Sequence, residues 1–237
     1  MRLSLAQFRD PLLRIAGDTQ FDTYPISPRC VGVTQGPRRL LGVVDKHGAW
    51  KTYGERLIYD NQWVKLGLAD VQAPNGERWE YHVVHLARIA IGLIVDERDR
   101  VLMLWRYRFP TDQWGYELLG GLVEEGEHPA DTARREVEEE TGYRPIGEPE
   151  HLVSFEPLPG QVTADTDVYL WRKVEKVGEP TDTEEVGRLE WVPLSRVLEF
   201  VKRREVLGAG ALVPLLYYLA SRGVGTAGGQ DEAIEPA

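Results

Sequence analysis

The sequence has almost no cysteine and lacks a long apolar run. Cys30 is the only cysteine among the 237 residues, so no disulfide can form within the chain. The longest uncharged apolar run, Leu207 to Ala220, is too short to cross a bilayer as a helix. Asp10 and Arg14 would interrupt the apolar core of a secretory signal. We therefore expect a protein without disulfides or membrane contact, and the cytoplasm is its default location.

A basic surface is missing as well. The formal net charge is −10, and the lysines and arginines do not gather into a stripe along the sequence. Because nucleic-acid backbones are recognised by clustered positive charge, we do not expect a nucleic-acid partner. An acidic protein can still bind an anionic small molecule when a metal ion reverses the local potential.

Several common catalytic signatures are absent. The sequence contains neither the G-x-S-x-G elbow of serine hydrolases nor the G-x-x-x-x-G-K-[ST] phosphate loop. His82 and His85 are three residues apart on a predicted strand, which sends them to opposite faces and argues against a zinc site. The segment Gly223 to Gly228 matches G-x-G-x-x-G but follows a predicted helix, so it lacks the strand that a dinucleotide site needs.

The most informative stretch present is an acidic segment that should form a helix. Pro129 suits a first helical turn, and Ala130, Ala133 and Val137 recur at three- and four-residue spacing. Gly142 follows as a C-terminal cap. This pattern predicts an amphipathic helix over residues 129–141.

Three carboxylates lie together on one face of that helix. Glu136 is three residues from Glu139 and four from Glu140, which places their side chains within about 6 Å of one another. Like charges at this distance repel, so either water solvates the face or a cation lies among the carboxylates. Hard oxygen ligands of this kind suit Mg²⁺ or Mn²⁺.

The spacing around the helix matches a longer pattern. From Gly121 the residues fit G-x5-E-x7-R-E-U-x-E-E-x-G-U, where U is apolar and the last such position holds Tyr143. This pattern resembles the Nudix box, a loop–helix–loop that holds a divalent metal ion against a diphosphate. The resemblance implies that Glu136 and Glu140 are the main metal ligands, with Glu139 beside them. The positions that shape the motif are Gly121, Glu127, Arg135 and Gly142.

The remaining chain predicts an α+β protein. Residues 53 to 86 alternate and contain the turn Ala73 to Gly76, which indicates an antiparallel hairpin. Further strands are predicted at Ile89–Val95, Val101–Tyr107, Leu152–Phe155, Asp167–Val174 and Arg188–Val192, and helices at Ser195–Val206, capped by Ser195, and Ala209–Ser221, broken or kinked at Pro214. With the resemblance, this gives a Nudix-like α/β/α sandwich with a mixed sheet and an added N-terminal hairpin. We expect an extension of unknown role (1–52), the hairpin (53–86), the catalytic domain (87–221) and a flexible tail (222–237).

Two flanking segments narrow the resemblance to the ADP-ribose pyrophosphatase group. They are Trp105 to Arg108 ahead of the box and Phe155 to Gly160 after it, where Pro159 falls sixteen residues beyond Tyr143. The chain departs from that group at Leu119-Gly120, where Pro-Ala is usual. The resemblance implies that the Gly120 carbonyl faces the metal. It also implies substrate-binding roles for Arg106, Arg108, Glu117, Pro159 and Gly160.

The two arginines admit more than one interpretation. Arg106 and Arg108 are two residues apart on a predicted strand, so their side chains point the same way. They could clamp a phosphate together, or they could be ordinary solvated residues. The resemblance further implies a homodimer in which the hairpin 53–86 is exchanged to complete the partner's nucleotide pocket.

The resemblance implies metal-dependent hydrolysis of a nucleoside diphosphate derivative, and we expect ADP-ribose, cut to AMP and ribose 5-phosphate, as the first choice of substrate. Another nucleotide sugar or a dinucleotide is the alternative substrate, and a non-catalytic nucleotide-binding module is the alternative class. A metal-bound carboxylate is a poor base, so a further group must take the proton of water. The resemblance implies a loop glutamate, for which Glu185 is the first candidate and Glu184 the second; Glu139 is the remaining alternative.

Overall fold

The computed structural model describes residues 50–181 and 187–224. The helices are α1 (Pro129–Thr141), α2 (Leu194–Lys202) and α3 (Ala209–Val224). The strands are β1 (Lys51–Asp60), β2 (Val64–Gln72), β3 (Arg78–Leu86), β4 (Ile89–Ile94), β5 (Arg100–Arg108), β6 (Gln113–Glu117), β7 (Leu119–Leu122), β8 (Tyr143–Pro145), β9 (Glu150–Phe155), β10 (Val162–Thr163), β11 (Thr166–Trp171), β12 (Val174–Lys176) and β13 (Gly187–Pro193).

The N-terminal strands form a sheet of their own. β2 and β3 make an antiparallel hairpin whose turn is closed by a hydrogen bond from the Ala73 N–H to the Glu77 carbonyl, 2.8 Å. β1 is a further antiparallel strand beside β2, so the segment 53–86, predicted as a two-stranded hairpin, contains three strands. The short β10 lies parallel to the other edge of β3, so this sheet contacts the loop that follows β9.

The central sheets are held between helices. One has the order β7-β4-β11-β9 and is mixed, because β4 and β11 are parallel and the other pairs are antiparallel. The second has the order β13-β5-β6. Apolar side chains point to both faces of β4, as expected for a strand covered on both sides.

Each face of these sheets has its own apolar core. On one face, Ala133 and Val137 of α1 pack with Leu119 and Trp171. On the other face, α2 and α3 cover a larger core. The α+β class and the mixed sheet between helices are therefore confirmed.

Three local expectations were wrong in detail. α2 begins at Leu194, one residue before Ser195, and its N-cap is Pro193 without a side-chain cap bond. α3 runs without a break from Ala209 to Val224 through Pro214, so the break, one of the two predicted alternatives, is wrong; the proline removes one backbone donor. The extended segment 167–174 is split, since Arg172 and Lys173 separate β11 from β12.

Some expectations lie partly outside the described residues. The extension 1–52 is described only from Trp50, and Lys51 already belongs to β1. Within the tail 222–237, the first three residues are the end of α3 and the others lie outside. In the described part of the chain, no helix is both long enough and apolar enough to span a membrane.

Candidate active site

The acidic helix is fixed at both ends. His128 is its N-cap and accepts a hydrogen bond at Nδ1 from the Ala130 N–H, 3.2 Å, with Pro129 in the first turn. At the other end Gly142 has φ 68°, and its N–H donates to the Glu138 carbonyl. A Cβ at Gly142 would also overlap the Gly178 carbonyl, so glycine is required by both backbone angle and space. These caps match the predicted helix bounds.

Two carboxylates of α1 meet the glycine pair of β7. Glu140 Oε2 accepts a hydrogen bond from the Gly120 N–H, 3.0 Å. The Glu136 carboxylate lies so close to the Gly121 Cα that a Cβ there would overlap it. Because both side chains approach the same short segment, Glu136 and Glu140 bring oxygen atoms next to the Gly120–Gly121 backbone.

Arg135 joins the helix to the loop before it. Its guanidinium donates to Glu127 Oε1 at 3.1 Å, to Glu136 Oε1 at 2.8 Å and to Glu139 Oε2 at 2.9 Å. Thr132 also donates to Glu127, at 2.6 Å. These hydrogen bonds, that from Arg135 above all, lower the pKa of Glu127 from 4.5 to about 2, while the same contacts raise the pKa of Arg135. The ion pairs hold the loop 123–128 against α1.

A second chain of ion pairs crosses from α1 to β5 and β6. Arg106 donates to Glu140 Oε1 at 3.1 Å and to Glu117 Oε2 at 2.9 Å, and its side chain is only 5% exposed. Arg108 donates to both oxygens of Glu117, at 2.9 and 2.7 Å, and its side chain is 39% exposed. Burial raises the pKa of Glu117, but the bonds from Arg108 and Arg106 outweigh it and leave that pKa below its usual value.

The ion pairs that link Arg106, Arg108 and Glu117 border a cleft. Its volume is about 420 Å³, and Arg106, Arg108 and Glu117 line one part of it together with Gly120 and Gly121. The other residues that line the cleft form an apolar wall of apolar and small side chains, namely Ile89, Ile91, Leu118, Leu122, Leu207, Gly208, Gly210 and Ala211. Sequence reasoning missed this wall because its members come from three separate segments, 89–91, 118–122 and 207–211, that share no motif.

The donor set near Gly120 suits a divalent cation. In residues 50–181 and 187–224, no group of three or more acidic, histidine or cysteine side chains is arranged to hold a metal ion. Two carboxylates do reach one backbone segment, and carboxylate and carbonyl oxygens are the ligands that Mg²⁺ and Mn²⁺ prefer. The residues that could hold such an ion are Glu136, Glu140 and the carbonyl of Gly120.

Other predicted site residues lie elsewhere. Glu139 pairs with Arg135 and lines a separate cavity of about 590 Å³ with Gly178 and Thr181. Gly160 accepts a hydrogen bond at its carbonyl from the Tyr81 hydroxyl, 2.8 Å, and neither it nor Pro159 lines the cleft in the described structure. Glu184 and Glu185 lie outside the described residues.

A family model described as NUDIX domain matches residues 85–215, which is more than half of the 237-residue chain. The chain belongs to the Nudix family. Relatives include a CMP-5'-(N-acetyl-N-hydroxy-3-aminopropyl)phosphonate hydrolase of Streptomyces rubellomurinus, 40% identical over 73% of this chain and 84% of that protein. An ADP-ribose pyrophosphatase of Bacillus subtilis is 29% identical over 70% of this chain and 91% of its own length.

The fold has a solved counterpart. A crystal structure of an ADP compounds hydrolase superposes with a TM-score of 0.65 at 16% identity and covers 77% of this chain and all of that one. The chain is thus a Nudix hydrolase of nucleoside diphosphate derivatives, close to the ADP-ribose pyrophosphatase group. Nudix hydrolases generally use divalent metal ions.

Proposed function

We propose that this enzyme hydrolyses the phosphoric anhydride of a nucleoside diphosphate derivative with Mg²⁺ (or Mn²⁺), and that ADP-ribose, cut to AMP and ribose 5-phosphate, is its substrate. One observation carries the proposal: the carboxylates of Glu136 and Glu140 meet the Gly120–Gly121 segment at the edge of a cleft that Arg108 borders. This arrangement places oxygen ligands for a cation beside a cationic group that suits a diphosphate.

In this proposal Glu136, Glu140 and the Gly120 carbonyl hold the metal ion. When bound, the ion neutralises diphosphate charge and makes the phosphorus a better electrophile. Besides offering its carbonyl to the ion, Gly120 orients Glu140, because its N–H donates a hydrogen bond to Glu140 Oε2. Arg106 fixes the other oxygen of Glu140, so the carboxylate keeps one orientation.

Arg108 is the proposed phosphate contact. Its guanidinium is held by both oxygens of Glu117, and its side chain is more exposed than that of the buried Arg106. A guanidinium oriented in this way loses little freedom when it pairs with phosphate oxygens. The apolar wall that includes Ile89, Ile91 and Leu207 would then contact the part of the substrate that carries no charge.

The reaction needs a base. The oxygen of water forms a bond to one phosphorus, the bond from that phosphorus to the bridging oxygen breaks, and the second phosphate leaves with that oxygen. We propose that Glu185 is the base that accepts the proton of the attacking water, with Glu184 as the alternate. Glu139 is the remaining candidate, but Arg135 already engages its carboxylate.

We further propose that the protein works as a homodimer in which the N-terminal segment 53–86 is exchanged between subunits. Every residue of β1 is exposed, and so are several large side chains of this sheet: Tyr53, Leu57, Ile58, Tyr59, Trp63, Trp79 and Tyr81. An apolar surface of this kind favours burial against a partner. A sheet from the partner would also add to the wall of the nucleotide pocket.

A specific observation favours a second substrate. The relative named for a CMP-linked phosphonate is 40% identical, whereas the ADP-ribose pyrophosphatase relative is 29% identical. A cytidine monophosphate joined to a phosphonate through an anhydride oxygen presents the same pair of charged phosphorus centres to Arg108 and the metal ligands. A substrate panel must also distinguish three other outcomes: hydrolysis of a different nucleotide sugar, hydrolysis of a dinucleotide, and nucleotide binding without turnover.

The test is a product assay with ADP-ribose, a CMP-linked alkylphosphonate, a nucleotide sugar and a dinucleotide, each with Mg²⁺, Mn²⁺ or EDTA. We expect fastest release of AMP from ADP-ribose and no release in EDTA. If CMP release from the phosphonate is faster by kcat/KM, the second candidate replaces the first. If all four compounds bind but none is cleaved with either ion, the hydrolase proposal is wrong.

A further inference from the structure

A third cavity, formed by Arg98, Tyr143, Ile146, Lys173 and Trp191 among others, shares no residue with the cleft or with the Glu139 cavity. Its volume is about 430 Å³, and it lies between the turn that joins β4 to β5 and the β8–β12 strand pair. Tyr143 and Trp191 form part of its wall, with ring centroids 6.2 Å apart in an edge-to-face arrangement. Ile146, which is 46% exposed, adds an apolar surface beside them. The volume is within the range typical of small-molecule sites.

Positive side chains gather around this cavity. Arg98, Arg100, Arg172 and Lys173 line it, against the two acids Asp96 and Glu97. Asp96 is used locally, because it pairs with Arg100 at 2.6 Å and accepts the Arg98 and Arg100 N–H groups. Glu97 is therefore the acid that remains to offset the other cations.

Three of these cations have no carboxylate partner within the described ranges. Arg172 donates to the Tyr218 hydroxyl at 2.5 Å, which leaves its charge unneutralised. Arg98 and Lys173 form no ion pair with any residue of those ranges, although most other arginines there do. All three side chains are exposed, so their charges can be reached by an anion from solution.

We propose that this cavity binds a nucleoside monophosphate, with the phosphate between Arg98 and Lys173 and the base against Ile146, Tyr143 and Trp191. The cations supply charge-assisted hydrogen bonds to phosphate oxygens, and the aromatic and aliphatic wall supplies contact area for a planar base. The inference stands on this third cavity alone and does not depend on which substrate the cleft takes.

The test measures AMP binding by equilibrium dialysis in the Arg108→Gln background, which weakens binding at the cleft. We expect Arg98→Ser/Lys173→Ser to reduce AMP affinity about tenfold or more, since the loss of two phosphate contacts is worth at least about 1.4 kcal/mol. The matched control is Lys202→Ser/Arg204→Ser, which removes two exposed cations from the end of α2 and should leave AMP affinity unchanged. Circular dichroism melts of both double variants verify that they fold.

Two further measurements separate the possible ligands. The indole N–H resonance of Trp191, assigned by Trp191→Phe, should shift on AMP addition in the parent protein but not in Arg98→Ser/Lys173→Ser. Inorganic phosphate should bind clearly more weakly than AMP, because it makes no contact with the wall. Equal AMP affinity in the cavity and control variants, an unmoved Trp191 resonance, or phosphate binding as tightly as AMP would each overturn the proposal.

Discussion

Arg106 and Glu140 form a buried ion pair, with Arg106 Nη1 3.1 Å from Glu140 Oε1 and both side chains at most 5% exposed. The pair connects the acidic helix to the strand that carries Arg108. Glu140 therefore has a fixed orientation toward Gly120, and Arg106 is committed to two carboxylates within the protein.

The first prediction concerns stability. Arg106→Met should lower the free energy of unfolding by about 3–5 kcal/mol, because it leaves the buried carboxylate of Glu140 without its counter-ion. Arg106→Met/Glu140→Met should lose much less than the sum of the two single variants, since the double variant buries no unpaired charge. Urea unfolding of the four proteins measures this coupling. Additive losses would show that the pair does not act as a unit.

The second prediction concerns substrate binding. Arg108→Gln should raise KM for the diphosphate substrate about tenfold or more with a small change in melting temperature, because the side chain lies at the cleft and is partly exposed. Arg196→Gln is the matched control, since Arg196 pairs with Glu199 on α2, well outside the residues that line the cleft. Steady-state kinetics on both variants gives the KM values to compare. Similar KM values for the two variants would exclude Arg108 as the phosphate contact.

The third prediction concerns acid stability. The folded pKa of Glu127 is about 2 against an ordinary value of 4.5, owing first to its hydrogen bond with Arg135. Because the folded pKa is depressed, this stabilisation is present above pH 4.5 and is lost as the pH falls toward 2. The difference in unfolding free energy between the parent protein and Glu127→Gln should be constant above about pH 5 and shrink below it. A difference that stays constant down to pH 3 would contradict the assignment.

The fourth prediction concerns the base. Glu185→Gln should lower kcat about 10²-fold or more with little change in KM, since a base acts in the transition state. Glu179→Gln is the control, because Glu179 is an exposed acid of the preceding segment that pairs only with Lys176 among the described residues. If Glu185→Gln, Glu184→Gln and the double variant all keep near-parental kcat, the base must be Glu139.

Local sequence signals predicted the bounds of α1 but not the contacts that its side chains make with distant parts of the chain. The bounds and caps of α1 were predictable because Pro129 and Gly142 act through the backbone of their own segment. Helical spacing also placed Glu136, Glu139 and Glu140 on one face. It did not show that Glu140 turns inward, because its partner Arg106 lies 34 residues earlier in the chain.

The same limit applies to the cleft and to α2. The wall residues Ile89 and Leu207 meet only through folding, and no periodic pattern relates them. The start of α2 was misplaced by one residue because a serine at a helix start suggests a cap, whereas the chain enters the helix directly from β13 through Pro193.

The central claim is that Glu140 serves the chemistry as a metal ligand, and one measurement tests it most directly. The rate of AMP release from ADP-ribose with saturating Mg²⁺ is compared among the parent protein, Glu140→Gln and Glu138→Gln. Glu138 lies on the same helix but pairs outward with Arg144, so its variant controls for loss of one helix charge. We expect Glu140→Gln to lose activity by orders of magnitude with its fold intact, and Glu138→Gln to retain it. Parental activity in Glu140→Gln would contradict the metal-ligand role.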